Sequence, residues 1–116
     1  MPGIRVLVAN EPRAYRDTLA SLVRAHRPTV DVIVAEPTGI DDALVAHDPH
    51  LVFCSRVTEL LLTKAPAWIV LYPNGAGLVV ASIAGHQHTA TDLDTTHLLA
   101  LVDETAQFTI DAGSFA

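Results

Sequence analysis

The chain of 116 residues contains one cysteine, Cys54, one lysine, Lys64, and no long apolar run. Each scarcity excludes something. A single thiol cannot close an intramolecular disulfide, and at this length, with 50% hydrophobic residues, one core forms without a disulfide or a metal. The apolar stretches are strand-length and broken by Gly, Pro or charge, short of the about 18 residues a membrane helix needs. With no charged-then-apolar leader read before the first strand, a cytoplasmic location is the expectation. Cations are also few: 7 Lys and Arg oppose 13 Asp and Glu, a formal charge of -6. Nucleic-acid affinity comes largely from neutralising phosphates with a basic surface, so no nucleic-acid partner is expected, and no membrane partner either. Arg5, Arg13, Arg16, Arg24 and Arg27 cluster in the first quarter, where they read as a solvated helix face.

What is present is an alternation of strands and helices. Ile4-Arg5-Val6-Leu7-Val8-Ala9 is β-branched and apolar between Pro2-Gly3 and Asn10-Glu11-Pro12, which predicts a first strand. From Pro12, Tyr15, Leu19, Leu22, Val23 and His26 recur at helical spacing until Pro28. Val30-Asp31-Val32-Ile33-Val34-Ala35 predicts a second strand. Asp41 is positioned to cap a short helix over Ala43, Leu44 and Val45 that ends by Asp48-Pro49, and Leu51 to Cys54 predicts a third strand. Such alternation implies parallel pairing with helices on both faces. Ligands and chemistry in these sheets collect at the carboxyl ends of the strands, which here carry Asn10, Glu11 and Ser55.

At these residues the chain resembles the receiver domains of bacterial two-component response regulators. Arg5-Val6-Leu7-Val8-Ala9-Asn10-Glu11-Pro12 is similar to the family's opening strand and acidic pair, with Arg16, Leu19 and Leu22 in register. Pro49-His50-Leu51-Val52-Phe53-Cys54-Ser55 is similar to the phosphoacceptor strand. The resemblance covers about the first half. It implies an α/β, flavodoxin-like three-layer sandwich with parallel core strands. It also implies a pocket in which two acidic residues hold magnesium, a carboxylate accepts a phosphoryl group, and a hydroxyl and a lysine bind the phosphate.

Carried over position by position, that pocket is degenerate. The acidic pair becomes Asn10 and Glu11, the acceptor becomes Ser55 followed by Arg56, the hydroxyl position falls at Tyr72, and Thr89 stands near the lysine position. A divalent cation needs several hard oxygen ligands, and Glu11 supplies the sole carboxylate. An alcohol is a poor phosphoryl acceptor without a positioned base. Neither aspartyl phosphorylation nor any enzymatic activity is therefore expected, and no cofactor is called for.

The second half departs further. Residues 56–66 leave room only for a shortened third helix over Glu59, Leu60, Leu61 and Leu62 before a strand at Ala67-Trp68-Ile69-Val70-Leu71-Tyr72. Pro73-Asn74-Gly75-Ala76-Gly77 carries an Asn-Gly hairpin signal. Leu78 to Ile83 then runs back, Ala84-Gly85 turns, and His86 to Ala90 makes another strand, so an antiparallel meander is expected where the family has a fourth helix and a parallel strand. The last helix is expected to open near Asp92-Leu93-Asp94, capped by Asp94 or Thr91, and to pack Leu98, Leu101 and Val102, with Leu99 and Ala100, on the sheet before stopping at Asp103-Glu104. Residues 1–105 then form one domain and 106–116 a tail, with a short strand allowed at Phe108-Thr109-Ile110.

Three remaining constellations read as structural. His86 and His88, two apart with His97 nearby, are candidate metal ligands but lack a carboxylate or cysteine at ligand spacing. Cys54 reads as an inert core thiol, and Gly75-Ala76-Gly77 as a turn rather than a phosphate loop. The expectation is a signalling module acting by protein contact, including a homodimer through the C-terminal β-edge. The alternative is a small-molecule domain using the crevice of Ala9 to Glu11, Cys54 to Arg56 and Tyr72 to Asn74.

Overall fold

A computed structural model describes residues 4–71, 79–83, 85–90 and 94–111. In chain order these form β1 (Arg5–Ala9), α1 (Arg13–His26), β2 (Asp31–Val34), a 3-10 turn (Pro37–Gly39), α2 (Ile40–His47), β3 (Leu51–Cys54), α3 (Glu59–Lys64), β4 (Ala67–Leu71), β5 (Val79–Ile83), β6 (His86–Ala90) and α4 (Thr95–Asp111). The strands build one sheet ordered β2-β1-β3-β4-β5-β6. β2, β1, β3 and β4 run parallel, whereas β5 and β6 are antiparallel to their neighbours. The described chain is thus an α/β protein with a mixed sheet, a short α3 and a C-terminal meander. No helix among the described residues is long and apolar enough to cross a membrane.

Burial on both faces explains why β1 and β3 are continuous apolar runs rather than alternating ones. Val6, Val8, Leu51 and Phe53 enter a cluster with Leu19 and Val23 of α1 and Leu98 and Val102 of α4. Leu7, Ala9, Val52 and Cys54 enter a second cluster with Ala43 and Leu44 of α2 and Leu61 of α3. The sheet therefore lies between two helical layers. On the α2/α3 side the second cluster reaches only Val70 of β4, with Trp68 and Val80 half-buried against it.

Several local expectations are corrected. Asp41 does not cap α2; Gly39 holds that position, and the Asp41 carboxylate instead accepts a hydrogen bond from Thr58 Oγ1 at 2.8 Å. Thr58 in turn caps α3, its hydroxyl accepting from Leu61 N–H at 3.1 Å, so one side chain starts α3 and ties it to α2. Asp94 does cap α4, accepting from His97 N–H at 2.8 Å. That helix does not stop at Asp103-Glu104. It continues to Asp111, which makes residues 106–111 helical rather than tail and leaves no strand at Phe108 to Ile110. Ala100 lies on its exposed side.

At the amino ends of the strands His50 is 7% exposed, and its Nδ1 accepts a hydrogen bond from Arg5 N–H at 2.9 Å. Burial, and then the Arg5 charge, hold the imidazole pKa below its ordinary 6.5, with Asp48 opposing. The folded state thus favours neutral His50. Its contribution to stability is complete above the unfolded pKa and is lost as pH falls through the lowered folded one. Urea midpoints should therefore fall as the pH is lowered below about 6.5. His50→Asn, which keeps an acceptor near the Nδ1 position, should flatten that fall; identical slopes in both proteins would contradict the assignment.

Candidate functional site

The register of β1 and β3 places Ala9 opposite Cys54, so Asn10 and Ser55 leave the sheet at the same level. The two strands are joined there by a side chain: Ser55 Oγ accepts a hydrogen bond from Glu11 N–H at 2.7 Å. Ser55 is half-buried, and Glu11 and Arg56 are exposed. The hydroxyl at the end of β3 therefore holds the β1 to α1 loop. Tyr72, with Pro73 and Asn74, lies outside the described residues.

Asn10 behaves differently from its neighbours. It is 0% exposed, and neither Oδ1 nor Nδ2 has a hydrogen-bond partner. Arg16 is the residue that sequence reasoning misplaced. The structure buries it to 6% exposure, with Nε unpartnered, on the sheet-facing stripe of α1 beside Leu19, Ala20 and Val23. The signal was available in the spacing, since Arg16 precedes those residues by 3, 4 and 7 positions. Charge alone had assigned it to the solvated face, where Arg13 and Asp17 do lie, 3.8 Å apart and well exposed.

The remaining candidates are dispersed. Thr89 lies on β6, separated from β3 by β4 and β5. The residue that β5 brings level with the carboxyl end of β4 is Val79, opposite Leu71. His86 and His88 stand opposite Ile83 and Ala81 in the β5–β6 ladder. His97 Nδ1 lies 2.9 Å from Asp94 Oδ1, so His97 is engaged at the start of its own helix. The Asp94 carboxyl is held below its ordinary pKa, first by the His97 backbone N–H. Among the described residues no three His, Cys, Asp or Glu side chains converge on a common point.

Cys54 is 1% exposed, with Sγ 3.6 Å from Ile69 O, and burial pushes its pKa up to about 12. A thiol so held stays protonated near neutrality and is a poor nucleophile. Native protein should resist alkylation by iodoacetamide over the time in which urea-unfolded protein reacts to completion. Equal rates would contradict the burial of Cys54.

At the opposite, amino-terminal edge a cavity of about 380 Å³ is lined by Arg5, Asp48, His50, Thr63 and Lys64, among others. Two helices end there, and Arg5 donates from Nε to His47 O at 2.9 Å and from Nη2 to Asp48 O at 3.1 Å. Its charge caps the carbonyl end of α2. Comparison with protein-family models, curated proteins and solved structures returned no match.

Proposed function

We propose that this chain is a receiver-like, non-catalytic signalling module that acts through protein contact, including self-association, without aspartyl phosphotransfer. The sequence resemblance supplies the signalling context. Two features of the carboxyl edge support the loss of phosphotransfer: Asn10 and Glu11 offer magnesium one carboxylate where the family offers two, and the Ser55 hydroxyl is engaged by Glu11 N–H.

The observation that carries the contact reading is the outer edge of the sheet. β5 and β6, Val79–Ile83 and His86–Ala90, contain no Asp, Glu, Lys or Arg, although the chain as a whole has a charge of -6. Edge strands are ordinarily guarded by charge, proline or a bulge, because their unpaired N–H and C=O groups accept a further strand. An uncharged β6 edge, with the half-buried Val80 opposite Thr89 in the adjoining β5, suits pairing with a second copy. Sedimentation velocity over a concentration series should show a monomer–dimer equilibrium, and Gln87→Lys combined with Thr89→Lys should shift it to monomer. A wild type that stays monomeric at every concentration would refute self-association through this edge.

A second reading, a small-molecule site in the crevice above β1 and β3, is favoured by the unpartnered Asn10 amide.

A further inference from the structure

The chain leaves β1 toward β2 on one side and reaches β3 on the other, so the point where strand order reverses lies between β1 and β3. In open α/β sheets that crevice is where ligands bind. The buried side-chain polar atoms without a partner among the described residues, Asn10 Oδ1 and Nδ2 and Arg16 Nε, belong to the residue that follows β1 and to the first turns of α1. Asn10 is the residue that follows β1, and the alternation through Val6 and Val8 puts it on the α1/α4 side of the sheet. Arg16 lies in the first turns of α1, which start at this same edge, and heads the stripe laid on that side.

The energetics are lopsided. An enclosed amide without partners forfeits the desolvation cost of each group left unmade, and a buried cation without a counter-charge costs more. No carboxylate among the described residues pairs with the Arg16 guanidinium, and its Nε is both enclosed and unpartnered. The unmet groups define a complement. Nε–H is one arm of the side-on guanidinium fork, which matches the two oxygens of a carboxylate. Asn10 Nδ2 adds a donor, and Asn10 Oδ1 is an acceptor, which a bare carboxylate cannot satisfy. We infer that Asn10 and Arg16 form the recognition end of a site for a small carboxylic acid bearing a hydroxyl or ammonium group on the adjacent carbon. The assignment stands independently of the signalling reading, since it concerns this crevice and not the β6 edge.

The test is a titration of the ¹⁵N-labelled protein with glycolate, glycine, acetate and inorganic phosphate, at ionic strength held constant with chloride. The Arg16 Nε resonance and the amides of Asn10, Glu11 and Ser55 should shift saturably with glycolate or glycine. Acetate, lacking the donor, should bind roughly tenfold more weakly. Arg16→Gln should abolish saturation; should that variant not fold, the Arg16 Nε shift in the wild type decides alone. Absence of saturable shifts with glycolate and glycine, equal affinity for acetate, phosphate binding as tight as either, or unchanged titration of a folded Arg16→Gln protein would each overturn the inference.

Discussion

Truncating Phe53 to alanine should cost about 3–5 kcal/mol of stability. Phe53 is 0% exposed, in the middle of β3, paired with Val8 of β1 on one side and Ile69 of β4 on the other. Its ring fills the cluster that joins the sheet to α1 and α4, so its removal leaves a void bounded by three layers of backbone that relax little. Domains of this size are stable by about 6–17 kcal/mol, so the loss is a large fraction of the whole. Urea unfolding followed by circular dichroism should show the midpoint moving sharply down, and the melting temperature should drop by about 10–25 °C. Val45, 64% exposed on α2, is the control: Val45→Ala should change stability by less than about 0.5 kcal/mol. A loss under about 1 kcal/mol for Phe53→Ala would mean that β3 is not central to the core.

Replacing Asn10 by leucine should have the opposite sign. Leucine has nearly the same branched shape, and it removes two enclosed polar atoms that have no partner in the fold. Stability should rise by about 1–3 kcal/mol. The same leucine variant should lose the preference for glycolate over acetate. A gain in stability coupled to a loss of binding is expected of a recognition group held at a cost to the fold. Destabilisation of Asn10→Leu by more than about 1 kcal/mol would mean that the amide is already satisfied.

The strands and the first three helices were legible because their signals are local: β-branched runs bounded by Pro, Gly and Asn, and apolar residues at helical spacing. The antiparallel meander was legible for the same reason, with Gly85 adopting a φ of 83° between β5 and β6. Where the reading failed, a polar residue stood in an apolar role. The core stripe of α4 continues past Val102 as Thr105 and Thr109, 0% and 1% exposed. Their hydroxyls are satisfied inside the helix, donating to Leu101 O at 2.9 Å and to Thr105 O at 2.8 Å. A stripe finished in threonine does not register as hydrophobic, so Asp103-Glu104 looked like an end. Both residues lie on the solvent side, and Asp103 is held by Arg27 at 2.7 and 2.8 Å. That pairing keeps the Asp103 carboxyl below its ordinary pKa. Arg16 was missed in the same way, because its charge masked its place in the stripe.

The candidate site was legible in part. Asn10, Glu11 and Ser55 were placed together by the strand pattern alone, and the structure sets them at one edge with a hydrogen bond between two of them. The burial of Asn10 and the absence of a partner for it were not readable, because both depend on what packs over the end of β1. Tyr72 falls outside the described residues.

The proposed loss of phosphotransfer is tested most directly by incubating the protein with a small phosphodonor and magnesium and recording its intact mass. The account predicts an unchanged mass, with no shift of the amides around Ser55. An added phosphoryl group, at Ser55 or at any carboxylate of the β1 and β3 edge, would contradict it.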